Sequence, residues 1–382
     1  MEALEIVLLF FAIVMVPFMI IEPYLLIIGQ KYLKKPIKPP VVGRKIIVAI
    51  TTKGSATSVV NEIINTIRGY NIPIKIVVIR EEYDLNGYNS DETVIVPSSY
   101  ETPNKSRYKP RALHYFSIWL KEHGYSLDTY VVHLDDDSTV SKKYIQYVLG
   151  MTAVAGQGSL RLRNYGYSLF STLGDFGRSY SCDTYCAHSN AIGKPLGVHG
   201  EGLVIRADVE ATIGWDFVPE TLCSEDLLMG QSIAKKFGEF DYIPGGIYIA
   251  PPVTVGDFYK QRRRWMYSFF MSWNVARKIN KKSTAFFTYM YSMGWAQAIG
   301  FVLWMGIMFG HLFVPLPLII IFTIGLTLSF INMQYGVYKN HAGLKWHIIM
   351  LLLTIPVAIF QSGVFFYTLF TRPQQYDVIK KV

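Results

Sequence analysis

Long stretches of this chain carry no carboxylate, ammonium or guanidinium side chain. From Ser283 to Tyr338, and again from Trp346 to Thr371, there is no Asp, Glu, Lys or Arg. A bilayer core takes roughly 20 apolar residues per helix. The first stretch therefore holds two spans, near residues 285–310 and 312–333, and the second holds one, near 346–370. A fourth apolar run, residues 6–28, has Glu22 as its only charge. The residues before it, Met1-Glu2-Ala3-Leu4-Glu5, are acidic, whereas a cleaved secretion signal starts with a basic leader. An uncleaved anchor is expected.

Between these runs the pattern is that of an α/β domain. Residues 45–52 (KIIVAITT) form a continuous apolar, β-branched run, as in a strand covered on both faces. Residues 58–68 place Val59, Ile63, Ile64 and Ile67 on one helical stripe, ended by Gly69. Strands follow at 74–79 and 93–96. A helix at 110–123 has Pro110 in its first turn and Gly124 after its end. Residues 129–134 (TYVVHL) are another strand. This β-α-β-β-α-β order predicts a mostly parallel α/β sheet.

Composition agrees with the membrane reading. The 382 residues are 51% hydrophobic and 17% charged, with mean hydropathy +0.25. Soluble domains carry about 25% charge, so a wholly soluble chain is excluded, as are disordered and collagen-like ones. Three cysteines cannot staple a chain of this size and fit a reducing compartment. Cys182, Cys186 and His188 cluster, with Cys223 as a further sulfur, but no paired C-x-x-C spacing appears. Ordinary buried thiols are expected there rather than a zinc site.

Net charge is +9, from 37 Lys and Arg against 28 Asp and Glu. The excess sits at two junctions: Lys31, Lys34, Lys35, Lys38, Arg44 and Lys45 after the first run, and Lys260, Arg262, Arg263, Arg264, Arg277, Lys278, Lys281 and Lys282 before the second. Basic flanks mark the cytoplasmic side and attract anionic headgroups. The expected division is an N-terminal transmembrane helix (1–30), a cytoplasmic catalytic domain (31–256), an interfacial amphipathic helix (257–282) and three C-terminal transmembrane helices (283–382). Four spans return the C-terminus to the outside, against the basic Arg372, Lys380 and Lys381. No nucleic-acid partner is expected, since that needs a basic, aromatic-studded soluble surface. A transporter is disfavoured because the C-terminal spans hold no ionisable residue beyond His347.

The chemistry concentrates in a few motifs. Asp135-Asp136-Asp137 directly follows the strand ending at Leu134, and open α/β sheets bind ligands beyond strand C-termini. Adjacent carboxylates repel unless a cation offsets them. Oxygen ligands select Mg2+ or Mn2+, which bind phosphate oxygens too. Alternation in a turn favours Asp135 and Asp137 as the metal pair. Ser224-Glu225-Asp226 reads either as a helix N-cap with acids in the first turn or as a site for a general base. Gln261-Arg262-Arg263-Arg264-Trp265 reads either as an interfacial helix with snorkelling arginines or as a clamp for a diphosphate. Lys105, Arg107, Lys109 and Arg111, at a helix start, suit a phosphate. His199-Gly200-Glu201-Gly202 is a tight turn or a sugar-binding wall.

Taken in order, KIIVAITT, KPRALHY, HLDDDS, GQGS, HGEGLVI, SEDLLMG and QRRRW resemble the membrane-embedded glycosyltransferases of family 2, with a GT-A domain. The resemblance spans about residues 45–265 and is greatest to the egghead-type β-1,4-mannosyltransferases. It implies an inverting, metal-dependent transfer of mannose from GDP-mannose to a lipid-linked acceptor. It also implies Asp135 and Asp137 as ligands of Mn2+ or Mg2+, and Asp226 as catalytic base. Thr51, Thr52, Glu81, Lys109, Arg111, Asp135, Asp136, Gln261, Arg264 and Trp265 would bind the donor. His199, Gly200, Glu201, Glu225 and Trp265 would meet the acceptor. His114 replaces the family's usual Asn, and Asp136-Asp137 stands where egghead-type proteins have two glutamates. The alternative within the family is a UDP-glucose-dependent glucosyltransferase or polysaccharide synthase. The pore-forming bundle of the processive synthases is larger than three C-terminal spans.

Overall fold

The computed structural model describes residues 3–217, 224–310 and 315–371. Helix α1 (Ala3–Leu33) leads into strand β1 (Lys45–Thr52), α2 (Thr57–Arg68), β2 (Lys75–Glu81), β3 (Glu92–Val96), α3 (Tyr108–Glu122) and β4 (Thr129–Asp135). A two-residue turn into β5 (Ser138–Val140) precedes α4 (Lys142–Leu149), β6 (Ala155–Leu162) and α5 (Leu169–Ser181). A π-helical turn (Cys182–Cys186) joins α5 to α6 (Ala187–Ala191). Then come β7 (Val204–Arg206), α7 (Ala207–Ile213), α8 (Glu225–Phe237) and β8 (Asp241–Ile249). The chain ends in long helices α9 (Val255–Ile279), α10 (Lys281–Met308), α11 (Leu316–Lys339) and α12 (Leu344–Phe370).

The eight strands among the described residues form one sheet, in the order β3-β2-β1-β4-β7-β6-β8-β5. Strands β3, β2, β1 and β4 run parallel, β7 is antiparallel to both its neighbours, and β5 is antiparallel to β8. This is the mostly parallel α/β sheet with apolar helices that the sequence predicts. The unbroken apolar run of β1 has a plain cause. Ile46, Val48 and Ile50 enter one core with Val60, Ile63, Ile64 and Ile67 of α2. Ile47 and Ala49 enter the other with Ala112, Leu113 and Phe116 of α3. Both faces are dry, so the polar–apolar alternation of a one-sided strand is absent. On α2, Val60 rather than the expected Val59 completes the fully buried stripe; Val59 packs at its margin.

Among the described residues three helices are long and apolar enough to cross a membrane: Leu8–Leu33, Leu316–Lys339 and Leu344–Phe370. The span expected at residues 285–310 falls in α10, which is not one of them. Glu22, the only charge of the first expected span, is buried and accepts hydrogen bonds from the hydroxyls of Tyr180 and Tyr185. The basic tail after Thr371 lies outside the described residues.

The sheet is docked on these helices through α5. Leu173 and Phe176 of α5 share a core with Val337 of α11 and Met350 and Val357 of α12. The approach is close at Gly336, where a Cβ would lie 2.1 Å from the Phe176 carbonyl oxygen. Gly336→Leu should therefore push α11 from α5 and cost about 1–3 kcal/mol, as overpacking does. Thermal unfolding of the detergent-solubilised chain, with Gly363→Leu as control where a Cβ meets nothing, measures the difference.

Candidate active site

The C-terminal ends of β1, β2 and β4 form one edge, as their parallel register requires. Thr51 of β1 lies opposite Asp135 of β4, and Thr52 opposite Arg80 of β2, one residue before Glu81. Asp136 and Asp137 are the two residues of the β4–β5 turn. The hydroxyl of Thr52 donates to Asp136 Oδ2 at 3.2 Å. Asp137 is buried, at 5% exposure. Thr51 Oγ1 is buried with no hydrogen-bond partner among the described residues. Such an orphan hydroxyl is an unmet demand that a ligand at the edge would fill.

Lys109, in the first turn of α3, brings positive charge to this edge. Its ammonium bonds Asp135 Oδ1 and lies 3.9 Å from Glu225 Oε1. Burial works against its charge, but Asp135 and Glu225 outweigh that and hold it well above the usual lysine range. Asp216 holds the loop before α3, accepting from Thr102 Oγ1 (2.9 Å), Asn104 N (2.6 Å) and Ser106 Oγ (2.6 Å). Arg111 donates to Glu81 Oε2 at 2.5 Å, to Tyr100 O at 2.9 Å and to Pro97 O. Glu81 and Arg111 thus lie at the expected edge, but bonded to each other.

Glu225 and Asp226 open α8, where the helix dipole favours negative charge. Ser224 precedes them with φ 92° and makes no side-chain cap hydrogen bond. The expected serine cap is therefore absent: capping needs an extended backbone, and the left-handed one aims the hydroxyl elsewhere. Burial raises the Asp226 carboxyl above its usual value, while Lys109 pulls the other way. Burial and the neighbouring Asp226 push Glu225 up to about 7.

The 199–202 turn closes over this pair. A Cβ on Gly200 would lie 2.6 Å from Lys109 Nζ and 3.6 Å from Asp226 Oδ2, so a side chain there would displace the Lys109 ammonium from its carboxylates. Gln157, of the GQGS segment, splints the turn. It accepts from His199 N at 3.1 Å and donates to the carbonyls of His199 and Glu201. His199 Nε2 lies 3.4 Å from Cys182 Sγ. Burial opposes charge on His199, but Cys182 and Glu201 hold its imidazole above the usual value. The Cys186 hydrogen bond, against burial, holds the Cys182 thiol well below its ordinary range. His188 instead packs beside Tyr24 and Tyr32 of α1, so Cys182 and Cys186 cluster with a different histidine from the one the sequence suggested. Cys223 lies outside the described residues.

Helix α9 supplies the far wall. Two guanidinium groups lie over Trp265, Arg262 at 4.3 Å and Arg178 at 4.7 Å from its ring centre. Arg178 also reaches Glu201 at 3.4 Å, linking Trp265 to the glycine turn. Arg262 does not snorkel. It is 2% exposed and bonds Asp175 (2.6 Å), Gln261 (2.8 Å) and Gln361 (3.2 Å). Arg264 and Asp136 both act on Lys53, just after β1, whose ammonium is lowered by burial and by Arg264 against the pull of Asp136. Lys53, Gln157, Asp175 and Arg178 carry no role in the sequence reading. Position after a strand end marks Lys53; nothing in the sequence marks Asp175 or Arg178.

The fit to a divalent ion follows from the donor set. No group of three His, Cys, Asp or Glu is placed to hold a metal among the described residues. Asp135 and Asp137 offer hard oxygens at one turn, which suits an ion completed by substrate phosphate oxygens rather than by a protein cage.

Residues 130–367 match the family described as "Glycosyl transferase family group 2", more than half of the chain, and the protein belongs to that family. It is a glycosyltransferase with an α/β domain. Two curated relatives are of the egghead type that the motifs suggested. "Beta-1,4-mannosyltransferase bre-3" of Caenorhabditis elegans is 28% identical over 182 residues, 45% of this chain and 39% of the relative. "Beta-1,4-mannosyltransferase egh" of Drosophila melanogaster is 26% identical over 199 residues, 50% of this chain and 43% of the relative. The chain thus spans less than half the length of the curated relatives it matches. A solved structure, mannosyltransferase PcManGT from Pyrobaculum calidifontis in complex with GDP-Man and Mn2+, aligns over 95% of this chain and 96% of its own, at 15% identity and TM-score 0.46.

The raised Glu225 makes a stability prediction. Between the ordinary glutamate value of 4.5 and about 7 the folded chain holds a proton that the unfolded chain has released. Stability contributed by the neutral carboxyl is present below that window and lost as pH rises through it. Glu225→Gln should flatten this dependence, and unfolding midpoints at pH 5 and pH 8 for both chains measure it.

Proposed function

We propose that the protein transfers one mannosyl unit from GDP-mannose, with inversion, to a lipid-linked acceptor at the cytoplasmic membrane face. The observation that carries the reading is the meeting of Asp226, Gly200, Lys109 and Asp135 at one sheet edge. A carboxylate with a raised pKa stands there across a glycine-lined gap from the turn that would face the diphosphate.

In the reaction, an acceptor hydroxyl gives its proton to an Asp226 carboxylate oxygen. The acceptor oxygen bonds to the anomeric carbon as the bond from that carbon to the β-phosphate oxygen breaks. GDP leaves with the electron pair from the opposite face. The amount of negative charge on the leaving group grows through the step, and Lys109, Lys53 and Arg264 are the cations whose fields meet it. Thr51 and Thr52 would meet the nucleotide. Asp135 and Asp137 would hold Mn2+ or Mg2+, which supplies positive charge to the diphosphate. Trp265, His199 and Glu201 would wall the acceptor, with Arg178 fixing the wall.

The donor assignment leans on the motifs and on relatives named as β-1,4-mannosyltransferases. The lipid acceptor and the expected domain division lean on the basic junctions and on the docking of α5 against apolar helices. Incubating purified chain with radiolabelled GDP-mannose, Mn2+ or Mg2+ and native lipids should give a labelled, organic-extractable product. Label from UDP-glucose and none from GDP-mannose would replace this reading with a glucosyltransferase.

Asp226→Asn should lower transfer by about 10²–10⁴-fold and leave donor binding near normal. A base must be ionised to act, and burial raises Asp226 above its ordinary 3.8. The acid limb of kcat/KM should therefore lie above that value, so activity is lost on acidification earlier than for a solvated aspartate. A pH–rate profile locates the limb.

A further inference from the structure

Apart from the carboxylate edge, and sharing no residue with it, a cleft of about 490 Å³ opens between α1, α9 and α10. We propose that this cleft binds a membrane lipid bearing a phosphate headgroup. The volume is in the range of sites for small ligands. What selects the occupant is the ordering of chemistry along the cleft.

Arg277 and Lys281 stand at one end, where α9 passes into α10. Both are exposed, and neither has a carboxylate partner among the described residues. The Arg277 guanidinium lies 4.8 Å from the Trp273 ring centre, which positions it without neutralising it. Two unpaired cations at a cleft mouth call for an anion, and a phosphate offers the oxygens both need.

Deeper in, the cleft becomes apolar in effect although hydroxyl residues line it. Thr284, Thr288 and Ser292 repeat along one face of α10. Each donates its hydroxyl to the carbonyl four residues earlier, at 3.0, 2.9 and 2.9 Å. Their hydrogen-bond donors are spent inside the helix, and a hydrocarbon chain meets no unsatisfied donor there. The far end is closed by Val14 of α1 and by Tyr289, whose hydroxyl donates to Val14 O at 3.2 Å. From Lys281 to Ser292 the helix rises about 16 Å, which is acyl-chain reach from a headgroup level. A free anion would satisfy the mouth and leave this length empty; a neutral lipid would fill the length and leave both cations unmatched.

The site is tied to the catalytic domain by neighbouring contacts. Ala276 of α9 packs on Leu228 of α8, and Ser283 accepts from Gln231 of α8 while donating to Leu196 O. A lipid seated at Arg277 and Lys281 therefore braces the turn on which α8 rests. This inference does not depend on the sugar or nucleotide that the enzyme uses.

Trp273 lines the cleft and reports on its contents, because bromine on an acyl chain quenches an indole it touches. The full chain is reconstituted in nanodiscs containing either brominated phosphatidylglycerol or brominated phosphatidylcholine. Subtracting the emission of Trp273→Phe isolates this residue. The brominated anionic lipid should quench it several-fold more than the zwitterionic one, and Arg277→Gln/Lys281→Gln should abolish the preference. Glycerol phosphate, a headgroup without chains, should not relieve the quenching. Equal quenching by both lipids, a preference that survives the double substitution, or relief by glycerol phosphate each overturns the proposal. Retention of bound phosphatidylglycerol in native mass spectra, lost on filling the cleft with Ala285→Trp, gives a second reading that does not depend on fluorescence.

Discussion

Everything at the carboxylate edge is organised by the need to crowd carboxylates without letting them repel the fold apart. Asp135, Asp136, Asp137, Glu201, Glu225 and Asp226 come from three separate segments and converge where two parallel strands end. Lys109 stands between the Asp135 turn and the Glu225-Asp226 pair. Its charge is what lets both acidic groups occupy one site. Its position depends on Asp216, which pins the preceding loop, and on Gly200, which leaves it room. The link between the Asp135 turn and the Glu225-Asp226 pair therefore rests on one ammonium held from two sides.

A second set of buried polar contacts joins the sheet to the long helices. Asp183, in the π-helical turn, is fully buried; Arg161 of β6 donates to both its carboxylate oxygens, at 3.0 and 2.9 Å, and Tyr335 of α11 donates at 3.3 Å. Gly29 of α1 passes the same turn so closely that a Cβ would lie 2.3 Å from Asp183 O. The turn that carries Cys182 to His199 is thereby clamped by α1, α11 and the sheet at once. Removing Arg161 takes the cation from a fully buried Asp183 carboxylate, a large cost for a buried charge.

Half of the sheet was readable from the sequence, and the reason is physical. Strands β1, β2 and β4 are dry on both faces and are written as unbroken apolar runs. Strands β6 (AGQGSLRL) and β8 (DYIPGGIYI) are buried too, yet glycines break their runs. Those glycines serve close strand approach: at Gly158 a Cβ would lie 2.4 Å from Ile243 O. At the site, Asp135, Lys109, Gly200, Glu225 and Asp226 are marked by strand ends, helix starts and a glycine turn, and the structure brings them together. Which of three adjacent arginines on α9 faces inward was not readable. Arg262 turns in because Asp175, 87 positions away, waits for it, and helical spacing contains no such information. The Ser224 cap failed for a similar reason: a serine before two acids fits an N-cap, but its backbone is set by what it joins.

The docking of α5 on α11 and α12 has a geometric consequence. Because one helix belongs both to the sheet's packing and to the apolar bundle, the carboxylate edge cannot tilt or lift independently of the bundle. With the bundle in a bilayer, that edge would work at a fixed height, like a tool clamped to a rail. On the proposed function, the length of an acceptor's headgroup would then be a measuring rule for which molecules reach it.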